Sequence, residues 1–179
     1  MPSSNYHAIP TVLNLVNSIK PKSILDIGIG TGKYGLLFRE YLDVWNVKTP
    51  YDSRETEIVG VEIFEDYRTP VWDMYDKVYI GNALEVPEIY EKTYDLLFLG
   101  DVIEHFEIED ALTLFKKLKY RNIIIVTPIR VSAQKAVYSN EYEKHISSWS
   151  ENCFSNLKTE KINNIQVFYN GILNECCAA

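Results

Sequence analysis

The chain has 179 residues, 46% of them hydrophobic, with a formal charge of −7 at pH 7 and a pI near 5.0. A single domain of ~150 residues or more buries roughly two-thirds of its unfolded surface, so it needs no metal or disulfide staple. The acidic balance weighs against non-specific binding of a nucleic acid backbone, which rests on clustered Lys and Arg, and favours a small molecule, a glycan or a peptide as partner. In chain order, Ile9, Val12, Leu13, Val16 and Ile19 recur at helical spacing, and Pro21 closes an N-terminal helical segment over residues 1–22. The short apolar run 23–27 ends in glycines and reads as a buried strand. Residues 33–42 form a helix with Tyr34, Leu37, Phe38 and Tyr41 on one side, and 44–55, with Pro50, Tyr51 and Asp52, form a long loop.

Residues 57–61 predict a second strand. Thr69-Pro70 is a cap followed by proline in the first turn of a short helix ending near Tyr75. Strands are expected at 78–80 and 94–99, the latter almost continuously apolar, as in a strand covered on both faces. The helix 107–120 opens on Glu107, Glu109 and Asp110 and closes on Lys116, Lys117 and Lys119, an order that complements the helix dipole. A fifth strand spans 122–127. Ser148 and Glu151 fit a capping box for a short helix through Leu157, and two final strands lie around Lys161 and over 165–169. Alternating strands and helices predict a parallel sheet with helices on both faces, and ligands bind at the carboxyl ends of such strands.

Four segments at such ends carry the chemistry. Asp26-Ile27-Gly28-Ile29-Gly30-Thr31-Gly32 runs from strand through a glycine loop into a helix whose first N–H groups suit an anionic group. A nucleotide P-loop fails here, because Tyr34 follows Gly32-Lys33 and Ile27 holds the first glycine position. A dinucleotide fingerprint fails because Lys33 holds the third glycine position. Glu62 follows the second strand, and a carboxylate has two acceptor oxygens, enough for both hydroxyls of a ribose. Asn82-Ala83-Leu84 follows the third strand. Asp101-Val102-Ile103-Glu104-His105 follows the fourth.

In this order and spacing, the segments between residues 24 and 128 resemble the motifs of class I S-adenosylmethionine-dependent methyltransferases. The resemblance implies a Rossmann-like α/β fold with a mainly parallel seven-stranded sheet, and S-adenosylmethionine as cofactor with S-adenosylhomocysteine as product. It places Asp26, Gly28, Ile29, Gly30, Gly32 and Tyr34 around the cofactor, and Glu62 and Ile63 at its ribose. Asn82 stands where the family usually has Asp and accepts from the adenine amino group, with Ala83 and Leu84 flanking the ring. Asp101 and Val102 lie beside the methionine part. The segment 141–150 with His145 and Trp149, together with Lys33-Tyr34-Gly35 and Arg39-Glu40-Tyr41-Leu42, resembles bacterial and phage methyltransferase-like proteins of unassigned substrate.

On this reading the chain is a single methyltransferase domain. A cofactor-binding core spans 23–128, and 129–179 supply the acceptor side. His105, at the mouth of the site, and His145, on the segment after the fifth strand, are the candidate general bases. A histidine bonded locally to backbone is the competing role for each. Tyr6 or Tyr34 can close over the cofactor, with packing as the competing role for each, and Glu104 is a structural acid that fixes nearby backbone. No metal is implied, since the further acids of a catechol-type magnesium site are not found. The alternative function is a module that binds the cofactor or a partner without turnover.

The three cysteines, Cys153, Cys176 and Cys177, show no disulfide framework or metal-ligand spacing, so a reducing, cytoplasmic setting is expected. The N-terminus has no signal-peptide pattern, and no apolar run approaches the ~20 residues of a membrane span. The last four residues fit a prenylation box only formally, with poor aliphatics in the middle and no polybasic stretch before them, and a loose tail is expected instead.

Overall fold

A computed structural model describes residues 4–45, 54–131, 134–136 and 140–170. Most of the expected 44–55 loop, and Cys176 and Cys177, lie outside these residues. Strands β1 (Ser23–Ile27), β2 (Glu57–Glu62), β3 (Lys77–Ile80), β4 (Thr93–Gly100), β5 (Lys119–Pro128), β6 (Lys158–Ile162) and β7 (Ile165–Tyr169) form one sheet. Their order is β3-β2-β1-β4-β5-β7-β6. The first five strands run parallel, and β7 lies antiparallel to both β5 and β6. Asn163 and Asn164 alone join β6 to β7. Asn163 takes φ 54, a conformation asparagine adopts more readily than most residues.

Alternation along the central strands sends side chains to two apolar layers. Ile24, Leu96, Phe98, Ile124 and Val126 face helices α1 (Ile9–Ile19) and α2 (Lys33–Arg39). Leu25, Ile27, Leu97, Leu99, Ile123 and Ile125 face α3 (Ile108–Lys117). The expected parallel sheet with helices on both faces is therefore present. No helix among the described residues is long and apolar enough to cross a membrane.

Three local expectations need correction, and one connection carried none. The helix expected over 33–42 leaves α geometry after Arg39 and continues as a π-turn over Glu40–Trp45. That turn brings Asp43 back to the buried Arg39 guanidinium. The helix expected over 107–120 stops at Lys117, because Lys119 and Tyr120 already pair with Thr93 and Tyr94. The connection from β3 to β4 holds only two 3-10 turns, Ala83–Glu85 and Pro87–Tyr90. The last short helix is a 3-10 turn over Glu151–Phe154 with Ser150 rather than Ser148 at its N-cap position and no side-chain capping bond there, and Glu151 pairs with Lys161.

The 3-10 helix Pro70–Met74, capped by the Thr69 hydroxyl as expected, packs beneath the glycine loop. Its Trp72 indole donates to the Gly30 carbonyl at 2.8 Å, and Thr69 donates to Thr31 at 2.9 Å. Tyr75 completes this support. Its hydroxyl donates to Asp26 at 2.6 Å and accepts from the Gly35 amide at 3.0 Å, tying β1 to α2. A Cβ at Gly35 would stand 2.2 Å from the Tyr75 ring. Gly35→Ala gains up to about 1 kcal/mol of helix propensity. Overpacking costs about 1–3 kcal/mol and must also displace Tyr75 from Asp26. Net destabilisation is the expected result of thermal or urea unfolding, and an Ala variant as stable as the parent refutes the packing argument.

Candidate functional site

The carboxyl ends of β1, β2, β3 and β4 open on a cavity of about 250 Å³. Asp26, Gly28, Ile29, Gly30, Tyr34, Glu62, Ile63, Asn82, Ala83, Leu84, Asp101 and Val102 all line it. Gly32, also expected there, sits behind the loop as the N-cap of α2, against Val71 and Trp72. The structure thus brings together residues spread over four loops.

The loop after β1 turns sharply over the end of β2, where the Gly28 amide donates to the Val61 carbonyl at 2.9 Å. Gly28 has φ 72, and a Cβ there would lie 2.3 Å from Val102 Cγ2. Only glycine therefore lets this loop pass against the residue after β4. Glu62 is the last residue of β2 rather than the first after it, and it is buried. Its Oε2 accepts from the Gly30 amide at 2.8 Å and its Oε1 from Phe64 at 3.0 Å. Burial raises the Glu62 carboxyl above its ordinary value, and these backbone donors oppose that shift. Each oxygen keeps a further lone pair for a ligand. The loop amides are less free than the sequence suggested, since Gly30 is bonded to Glu62 and Gly35 to Tyr75.

Asp26 is 2% exposed, and burial pushes its carboxyl up to about 7, against a lowering by the Tyr75 hydroxyl. The folded value thus exceeds the unfolded one of 3.8. The stability this group confers is complete below the unfolded value and is lost as pH rises towards 7. Asp26→Asn keeps an acceptor for Tyr75 and removes the titration. Urea unfolding from about pH 4 to 8 should show the variant losing roughly 2–4 kcal/mol less than the wild type across that window. Parallel pH profiles would show that Asp26 is already ionised in the fold.

The Asn82 side-chain oxygen caps the Leu84 amide at 3.0 Å, so Asn82 holds the 3-10 turn Ala83–Glu85 at the cavity wall. Tyr34 does not close over the cavity. It is buried beneath it, 4.5 Å from Phe98 between ring centroids. Tyr6 is 69% exposed, lies against the His7 ring in a tilted arrangement and is absent from the lining. Asp101 takes φ 52, and its Oδ2 accepts from the Asn5 amide at 2.8 Å. Its Oδ1 and the Tyr34 hydroxyl are buried without a hydrogen-bond partner among the described residues. Ser4 donates to the Gly100 carbonyl at 2.7 Å, and Lys33 donates to the Ser4 carbonyl, so residues 4–5 wall one side of the cavity.

His105 lines the cavity, and its Nδ1 lies 2.9 Å from the Lys144 carbonyl. A carbonyl only accepts, so Nδ1 carries the hydrogen and Nε2 holds the lone pair. Burial lowers the His105 pKa, favouring the neutral ring. His145 is not in the lining, but its ring centroid is 4.9 Å from that of His105. The Glu104 backbone carbonyl accepts from Ile146 and Ser147, while its buried carboxyl, expected to fix nearby backbone, accepts from the Thr127 hydroxyl at 3.0 Å. Burial pushes the Glu104 carboxyl up to about 8.

Sequence reasoning missed Tyr67, Asn140 and Glu143. They share hydrogen bonds at the cavity wall, with the Tyr67 hydroxyl donating to Glu143 at 2.7 Å and accepting from Asn140 at 3.1 Å. No spacing signals a contact between the segment after β2 and the one after β5.

Known structures share this architecture. The methyltransferase domain of bacterial CtHen1-CN matches with a TM-score of 0.61 at 15% identity, over 95% of this chain and all of that one. A methyltransferase from Geobacter sulfurreducens matches with a TM-score of 0.61 at 13% identity, over 96% of this chain and 82% of the other. A SAM-dependent methyltransferase from Aquifex aeolicus matches with a TM-score of 0.57 at 12% identity, over 94% and 89%. No family model and no curated protein matches the sequence. The chain has the class I methyltransferase fold.

Proposed function

We propose that this protein is an S-adenosylmethionine-dependent methyltransferase. The observation that carries the reading is the buried Glu62 carboxylate, aimed by two backbone amides into a cavity at the carboxyl ends of parallel strands. Glu62 accepts from both ribose hydroxyls of the cofactor. Ala83 and Leu84 flank the adenine, and Asn82 meets its edge through the amide capacity left after capping Leu84. Asp101 and Val102 stand beside the methionine end, where the buried Asp101 Oδ1 offers an acceptor to a cationic group.

The residues expected here fit the cofactor, which supplies a methyl carbon on a sulfonium with a good leaving group. The protein's contribution is alignment of acceptor and methyl group, which can supply roughly 7–11 kcal/mol. When bound, the cofactor would supply its methyl group to an acceptor atom, with the electron pair of the broken carbon–sulfur bond staying on sulfur. Where the acceptor loses a proton, the His105 Nε2 lone pair is placed to take it. The acceptor is a small molecule, a glycan or a peptide, entering past Tyr142 and Ile146, both exposed and both lining the cavity.

Calorimetry with S-adenosylmethionine and S-adenosylhomocysteine tests the proposal. Micromolar binding by the wild type, weakened in Glu62→Ala, supports it. A folded protein that binds neither overturns it. Binding with no turnover across an acceptor screen would instead favour the non-catalytic module.

A further inference from the structure

The fold joins two segments that the sequence keeps far apart. The turn after β4 carries Glu104 and His105, and the stretch after β5 carries His145. The Glu104 carbonyl accepts from the Ile146 amide at 2.9 Å and from Ser147 at 3.1 Å. The Ile103 carbonyl accepts from the Ser147 hydroxyl and the Trp149 indole, both at 3.2 Å. These bonds fix the second segment across the first. One ligand-type atom each of Glu104, His105 and His145 lies within 4.8 Å of the others. We propose that Glu104, His105 and His145 form a binding site for one divalent transition-metal ion, open to the cavity beside the site of methyl transfer.

Three features favour an ion over a polar network. First, two ligands of one ion, each about 2.0–2.2 Å from it, stand about 3.3–3.6 Å apart in tetrahedral geometry. The cluster, whose atoms lie within 4.8 Å of one another, therefore closes on an ion with side-chain movements of about 1 Å or less. Second, the supporting bonds have the form metal ligands need. The His105 Nδ1 hydrogen goes to the Lys144 carbonyl, which leaves the Nε2 lone pair to coordinate, and the Thr127 hydroxyl holds the Glu104 carboxylate. Third, Glu104 is 1% exposed and no Lys or Arg bonds it among the described residues. A bound ion would supply the positive charge that the ionised carboxylate lacks there.

Two imidazoles and one carboxylate suit Zn²⁺, Mn²⁺, Fe²⁺ or Co²⁺ better than calcium, which takes six to eight oxygen ligands. Because His105 lines the cavity, coordination positions not filled by protein face it. A polar acceptor atom can bind there. The ion would occupy the His105 lone pair, so it replaces that residue's role as a base.

The site stands independently of the cofactor reading, although its catalytic use rests on that reading. The test is titration of tag-free, chelator-treated protein with Co²⁺, followed by visible absorption and calorimetry, with S-adenosylhomocysteine binding measured on the same samples. One equivalent with d–d bands is expected. His145→Ala, at a half-buried position, and Glu104→Gln should each weaken Co²⁺ at least roughly 100-fold, more than loss of a supporting bond usually does. Unfolding temperature reports whether each variant is folded. Thr127→Val, which leaves all three ligands in place, should weaken Co²⁺ about 10–100-fold. No stoichiometric uptake by the wild type, or equal uptake by folded variants, overturns the site. Uptake of Co²⁺ without S-adenosylhomocysteine binding leaves the site standing and sinks the methyltransferase reading instead.

Discussion

Arg39→Met is expected to lower the unfolding free energy by about 3–5 kcal/mol, the range found when one partner of a buried ion pair is removed. Arg39 is 1% exposed at the end of α2, and every polar atom of its guanidinium is engaged. It pairs with Asp43 and, at 2.9 Å, with Asp76, and it donates to the carbonyls of Thr56 and Met74. The two carboxylates also hold backbone, Asp43 accepting from Thr56 at 3.1 Å and Asp76 from Ile58 at 2.7 Å. Methionine fills much of the volume but removes the guanidinium from beside the buried Asp43. At roughly 2–4 °C per kcal/mol for a domain of this size, the midpoint should fall by about 6–20 °C. Adding Asp43→Leu to that variant should recover part of the loss, because part of the penalty is that of a buried carboxylate that has lost its guanidinium. A midpoint within about 2 °C of wild type would show that solvent reaches this pair.

The second large effect falls on Glu62. Its carboxylate is expected to make two charge-assisted hydrogen bonds to the ribose, each about 1.5–3 kcal/mol. Glu62→Ala should therefore weaken S-adenosylhomocysteine about 10²–10⁴-fold. Glu62→Gln keeps one oxygen acceptor and should fall between the alanine variant and the wild type. Removing the carboxylate also strands the amides of Gly30 and Phe64, so part of the loss reflects a loosened glycine loop. Comparing unfolding midpoints without ligand separates the two contributions. Affinity unchanged in Glu62→Ala would remove this residue from the ribose and require another arrangement of the cofactor.

The site was legible where local chemistry dictates geometry. Ser23–Ile27 is a strand with the bounds its sequence suggests, because Pro21 ends the preceding helix and Gly28 must turn. Glu62, Asn82 and Asp101 reach one cavity because each ends a strand of a parallel sheet. What escaped depends on side chains meeting across the fold. Nothing near Tyr75 announces that its hydroxyl will bridge Asp26 and Gly35. After Arg39 the helix continues as a π-turn, and helical periodicity carries no record of it. His105 and His145 were each legible as candidates. Their meeting was not, since it rests on the Glu104 and Ile103 carbonyls capturing residues 146–149.

The strand order also bears on how the chain acquires its structure. β1 sits in the middle of the sheet, with β2 on one side and β4 on the other. Its link to β4 includes the Asp95 amide on the Ser23 hydroxyl, a contact 72 residues apart in sequence. A chain emerging from the ribosome can pair β1 with β2 and β3 early, but those three strands leave one flank of β1 unpaired until β4 arrives. Closing so long a loop is slow compared with forming helices or hairpins. The cavity, whose wall needs the ends of β1 and β4 together, is therefore a late product of folding.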